Sequence, residues 1–95
     1  MSELEAIREE YPKGYHRVDI TEWDRIKRAY KGKVMSPKAV SMELGVSLET
    51  IEKQAQEGNI HLFTLGHGYS FVPVEDVYNW GIELGQINPD LPFET

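Results

Sequence analysis

The sequence contains no cysteine, which excludes a disulfide framework, a thiolate zinc site and a thiol nucleophile. It also lacks an apolar run near the roughly 18 residues that a membrane-spanning helix needs, and its first residues do not have the pattern of a signal peptide. Its 95 residues are 40 % hydrophobic and 11 % aromatic, as expected for one small globular domain. These features predict a soluble, cytoplasmic protein with no membrane partner.

Positive charge is scarce in the second half of the chain. Residues 1–33 carry eight Lys and Arg side chains against seven Asp and Glu, whereas residues 34–84 carry only Lys38 and Lys53 against seven acidic side chains. The net charge of the whole chain is −6. Because nucleic-acid-binding domains usually present a basic surface, this charge distribution is unfavourable for DNA binding.

Residues 1–34 predict an N-terminal helical extension. Apolar residues at helical spacing indicate a short helix over residues 3–11. Residues 15–20 alternate loosely, as in a short strand, and a second helix follows as far as Lys31.

Residues 35–58 predict two helices joined by a short turn. Ser36 followed by a proline is a strong helix start, and Gly45 ends that helix. Ser47 then caps a second helix over residues 48–57. Two helices joined by about three residues that include a glycine form a helix-turn-helix.

The rest of the chain predicts a hairpin, a helix and a tail. Strand-forming runs at 60–65 and 69–72 flank Gly66-His67-Gly68, which favours a two-stranded hairpin. A third helix begins after Pro73, and residues 85–95 predict an extended C-terminal arm. The predicted fold is mainly α with a small β-hairpin: a winged helix-turn-helix module over residues 35–84, preceded by the N-terminal extension.

Residues 35–80 resemble the MerR-like, excisionase-type winged-helix module of phage, transposon and plasmid DNA-binding proteins. The matching segments are Met35-Ser36-Pro37, Leu44-Gly45-Val46-Ser47, Thr50-Ile51, Glu57-Gly58-Asn59-Ile60, Gly66, Phe71, Pro73, Glu75-Asp76-Val77 and Trp80. The resemblance implies a winged helix-turn-helix that binds double-stranded DNA, as an excisionase, a transcription repressor or a packaging-related protein of phage or mobile-element type.

In a helix-turn-helix the second helix enters the major groove of DNA. Its base-reading positions here are Leu48, Glu49, Thr50, Glu52, Lys53 and Gln56, with His67 and Tyr69 of the hairpin on the DNA backbone or minor groove. Because the glutamates repel phosphate, sequence-specific binding needs nearby positive charge. The available cations, here called the cationic segment, are Arg25, Arg28, Lys31 and Lys33, and the DNA-binding hypothesis requires them to flank helix 48–57.

The acidic second half of the chain supports an alternative function for the same fold. Four glutamates, here called the Glu-rich face, would dock on a basic surface of a nucleic-acid-processing protein and inhibit or recruit it: Glu43, Glu49, Glu52 and Glu57. Self-association is also compatible with the sequence, since the cationic segment could receive the Glu-rich face of a second copy. The position of the cationic segment relative to helix 48–57 distinguishes the DNA-binding hypothesis from the alternative.

No catalytic, cofactor or metal site is predicted. His16, His61 and His67 lack the spacing of metal ligands, and an approach of His61 and His67 across the hairpin would supply only two ligands. No glycine-rich phosphate loop follows a strand, and the serines lack a His/Asp constellation. We therefore expect a protein that is not an enzyme.

Overall fold

A computed structural model describes residues 2–90 of the chain. Its elements within that range are α1 (Glu3–Glu10), β1 (Gly14–Arg17), α2 (Ile20–Ala29), β2 (Val34–Met35), α3 (Pro37–Leu44), α4 (Leu48–Gln56), β3 (His61–Gly66), β4 (Tyr69–Pro73) and α5 (Val74–Glu83). The four strands form one mixed sheet in the order β1-β3-β4-β2. The protein is therefore an α/β domain in which roughly half of the residues are helical.

The sequence predicted the helices and the hairpin but underestimated the sheet. β3 and β4 form the predicted antiparallel hairpin. β1 adds to β3 in parallel, with Tyr15 opposite Leu62, and β2 adds to β4 in antiparallel orientation. A mainly α fold with a two-stranded hairpin is thus corrected to a four-stranded mixed sheet, because both hairpin strands acquire partners from the N-terminal third of the chain.

The predicted caps determine where the helices begin. The side chains of Ser36 and Ser47 each accept a hydrogen bond from a backbone N–H in the first turn of α3 and α4. Asp19 and Glu22 form a reciprocal capping box at the start of α2. These local hydrogen bonds explain why the helix starts were readable from the sequence.

The turn between α3 and α4 has a defined structure. Gly45 ends α3 in the left-handed region, with φ of 67°, which glycine adopts at little cost. The Ser41 hydroxyl donates a hydrogen bond to the carbonyl oxygen of Val46 at 2.6 Å. This contact fixes the angle between α3 and α4 at the turn.

The sheet separates two hydrophobic cores, because successive residues of a strand point to opposite faces. On one face, Leu62 and Val72 pack with α3, α4 and α5, through Val40, Leu44, Ile51, Ala55, Ile60, Val77 and Trp80. On the other face, Phe63 and Phe71 pack with α1 and α2, through Ile7, Tyr11, Val18, Ile26, Ala29 and Tyr30. α2 and α4 therefore lie on opposite faces of the sheet.

The start of the predicted C-terminal arm packs on the domain. The backbone N–H groups of Gln86 and Ile87 donate to the carbonyl oxygen of Gly81, and the Ile87 side chain packs against the α3–α5 core. The remainder of the predicted arm, residues 91–95, lies outside the described residues.

No helix within residues 2–90 has both the length and the apolar content needed to cross a bilayer.

Candidate interaction surface

The outer face of α4 is exposed to solvent. Ile51 and Ala55 are buried beneath it, whereas the predicted base-reading residues are all exposed: Leu48, Glu49, Thr50, Glu52, Lys53 and Gln56. Thr50 has a structural role as well, since its hydroxyl lies 2.8 Å from the Ser47 hydroxyl in the helix cap. The outer face of α4 is thus dominated by two glutamates, one lysine, one glutamine and one leucine.

Two large apolar side chains on α3 and α4 are exposed. Met42 on α3 is 78 % exposed, and Leu48 at the start of α4 is 54 % exposed. Glu43 and Glu49 follow them directly in the chain and are exposed too. Both helices thus expose a large apolar side chain next to a carboxylate.

Strand β1 places two further side chains on the α4 side of the sheet. Tyr15 and Arg17 pair with Leu62 and Thr64, so they point to the same face as Leu62, which packs under the α3–α5 helices. Tyr15 is 47 % exposed. The Arg17 guanidinium extends towards the hairpin, since a Cβ at Gly66 would lie 3.2 Å from it. Neither residue is among the predicted DNA-contacting residues, since the loose alternation over 15–20 suggested a strand but not its partner.

The cationic segment lies on the layer opposite α4. Arg25 belongs to α2 and forms an ion pair with Glu10 at 2.8 Å, and the hydrogen bond that Arg25 donates to the Glu10 carboxylate raises the pKa of Arg25. Arg28, Lys31 and Lys33 are exposed at and beyond the C-terminal end of α2. The arrangement that the DNA-binding hypothesis requires, with these cations flanking helix 48–57, is therefore not found: the sheet stands between α2 and α4.

The hairpin residues proposed to contact DNA are exposed but do not join the outer face of α4. His67 occupies the hairpin tip with a φ of 55°. Tyr69 is 66 % exposed and precedes Phe71 by two residues, so its side chain points to the α1–α2 side of the sheet. The structure brings together the α4 residues, but it separates them from Tyr69 and from the cationic segment.

A buried, hydrogen-bonded pair of side chains joins β3 to α5. His61 and Asp76 are each 5 % exposed; Nδ1 of His61 lies 2.7 Å from the Asp76 carboxylate, which also accepts the backbone N–H of His61 at 2.8 Å. Nε2 of His61 lies 2.9 Å from the carbonyl oxygen of Tyr11, so it must carry a proton. Both ring nitrogens have hydrogen-bond partners within the protein, which assigns the pair a structural role.

His67 lies at the far end of β3, so His61 and His67 do not approach each other across the hairpin.

Within residues 2–90, no three His, Asp or Glu side chains are grouped so that they would hold a metal ion.

Comparisons with known proteins gave no match with a family profile, a curated protein or a solved structure. The function is therefore inferred from the chemistry of the exposed surfaces.

Proposed function

We propose that this protein is a winged-helix interaction module whose Glu-rich face docks on a basic surface of a nucleic-acid-processing protein and inhibits or recruits it. The order of β2, α3, α4 and the β3–β4 hairpin supports the winged-helix assignment. The antiparallel pairing of β2 with β4 supports it too. In a winged helix, the strand before the helix-turn-helix pairs with the hairpin that forms the wing, and here β2 and the β3–β4 hairpin have these positions.

The position of the cationic segment carries the proposal. DNA binding relies on several Lys and Arg side chains that neutralise phosphates and release counterions. Here Lys53 is the one basic side chain of α4, and Arg28, Lys31 and Lys33 are on the other layer. The Glu-rich face thus presents an acidic surface without compensating cations from α2, which suits a basic protein better than a polyanion.

The exposed apolar residues define what kind of partner fits. Met42 and Leu48 supply the apolar contacts that anchor protein interfaces, while Glu49 and Glu52 supply charge at their edge. The partner surface is therefore basic and contains an apolar recess. Long-range attraction between the two charged surfaces accelerates encounter, and the apolar contacts stabilise the complex once it has formed.

Charge reversal on α4 tests the proposal. We expect Glu49→Lys with Glu52→Lys to reduce retention of the partner from a nuclease-treated lysate by about tenfold or more, because attraction becomes repulsion. The matched control is Glu9→Lys with Asp24→Lys, which changes net charge equally but on exposed positions of the α1–α2 layer. It should retain the partner as the wild type does. Retention that disappears on nuclease treatment, or that both double variants lower equally, would refute the proposal.

DNA binding is the second candidate function, and the surface around α4 is the observation that favours it. Lys53 and Gln56 are exposed on α4, and Arg17 and Tyr15 on β1 point to the same side of the sheet. In this candidate, the α4 residues contact base edges and Arg17 contacts a phosphate, in a sequence-specific protein of phage or mobile-element type. Its distinguishing result is binding to a duplex that weakens steeply with salt.

A further inference from the structure

A cleft lies between the ends of three helices, away from α4. It has a volume of about 680 Å³ and is here called the α1–α2–α5 cleft. Apolar and aromatic side chains form part of its wall, among them Leu4, Ala29, Val74 and Tyr78. The volume is in the range of about 300–1,000 Å³ that is typical of small-molecule sites.

Three cations surround this cleft. Arg28, Lys31 and Lys33 line it, and none of them forms an ion pair within the described part of the chain. Of the two acidic lining residues, Glu75 is held by Arg8 in an ion pair at 2.5 Å, and Glu3 lies at the start of α1. The cleft therefore has positive charge in excess next to an apolar wall, which is the pattern that recognises an organic anion.

Lys31 stands in the turn that ends α2, where its backbone N–H donates to the carbonyl oxygen of Arg28 and that of Gly32 donates to the carbonyl oxygen of Lys27. Lys31 follows α2 with a φ of 55°, a left-handed conformation that glycine or asparagine adopts more readily than lysine. Its side chain is exposed, so burial does not offset the strain.

We infer that the α1–α2–α5 cleft binds a small organic anion, with an aryl or acyl body against Leu4, Val74 and Tyr78 and a carboxylate, phosphate or sulfonate group on Arg28, Lys31 and Lys33. The site is independent of the Glu-rich face, because the cationic residues belong to the opposite layer of the protein. It gives the cationic segment a role that does not require DNA.

The test uses 1-anilinonaphthalene-8-sulfonate as the probe and the wild-type chain followed by amide NMR. We expect saturable one-to-one binding, with shifts concentrated at the amides of residues 28–33 and 74–79. N-phenyl-1-naphthylamine, which has the same rings without the sulfonate, should bind about tenfold or more weakly, because it cannot make the charge-assisted hydrogen bonds. Equal affinity for the two probes, or shifts centred on Met42 and Leu48, would overturn the inference.

A variant separates binding from folding. Lys31→Gly removes a cation and at the same time relieves the left-handed strain, so it should raise the urea midpoint while it weakens sulfonate binding. The double variant Arg28→Gln with Lys31→Gly should lower the affinity for 1-anilinonaphthalene-8-sulfonate by about tenfold or more. The control is Lys38→Gln, which removes an exposed cation on α3 and should leave affinity unchanged. If Lys38→Gln and the cleft variants weaken binding equally, the cleft is not the site.

Discussion

Replacement of Asp76 by alanine is expected to lower the free energy of unfolding by about 3–5 kcal/mol. The Asp76 carboxylate accepts hydrogen bonds from the backbone and the ring of His61, at 2.8 Å and 2.7 Å, and both residues are almost fully buried. Without it, a buried N–H and a buried imidazole lose their partner. Because a domain of this size has a total stability of about 5–15 kcal/mol, the variant should be only marginally folded.

The neighbouring residue provides the control for Asp76. Glu75 forms an ion pair with Arg8, but these side chains are 38 % and 46 % exposed. Glu75→Ala should therefore change the free energy of unfolding by no more than about 1 kcal/mol. Urea denaturation followed by circular dichroism measures both variants, and equally small losses would show that the His61–Asp76 pair does not hold β3 to α5.

Replacement of Phe63 by alanine is expected to cost about 3–5 kcal/mol as well. The ring is fully buried and lies between the sheet and the α1–α2 layer, with its centroid 5.7 Å from that of Tyr11 and 5.4 Å from that of Phe71. Its loss leaves a cavity that these rigid rings fill only in part. The urea midpoint should fall accordingly.

A second hairpin aromatic provides the comparison for Phe63. Tyr69 is 66 % exposed, so Tyr69→Ala should change stability by no more than about 0.5 kcal/mol. Both variants should unfold in one transition, because the α1–α2 core packs on the same sheet as α3, α4 and α5. Two separate transitions would mean that residues 1–34 fold as an independent layer.

The elements that were predictable from the sequence are those defined by local interactions. Ser36 and Ser47 cap the helices that they were expected to cap, and Gly66-His67-Gly68 joins the two strands of the hairpin. In each case the signal and the structure lie within a few residues of each other. Local hydrogen bonding and tolerance of positive φ are properties of residue type, so the sequence displays them directly.

The features that were not predictable depend on contacts between distant residues. β1 pairs with β3, and His61 reaches Asp76 and the carbonyl of Tyr11, but no pattern near any of these residues reveals its partner. The same limit applied to the cationic segment. The sequence predicted that most of these cations share a helix. The face of the sheet that this helix covers depends on Phe63 and Phe71, which are far away in the chain.

The distribution of charge between the two layers gives the protein two separate surfaces. The Glu-rich face and the exposed Met42 and Leu48 belong to the α3–α4 helix pair, whereas Arg28, Lys31 and Lys33 line a cleft at the ends of α1, α2 and α5. A bound organic anion would neutralise the cations without touching α4. The proposed protein-binding surface and the proposed anion site are therefore testable one at a time.

The most direct test of the central claim is a titration of a fluorescein-labelled DNA duplex with the wild-type protein, followed by fluorescence anisotropy at about 0.15 M salt. The account predicts no saturable binding, because the outer face of α4 is acidic and the cationic segment lies across the sheet from it. Saturable binding that weakens steeply as salt rises, and that is lost in Lys53→Gln with Gln56→Ala, would contradict the account and establish α4 as a DNA-reading helix.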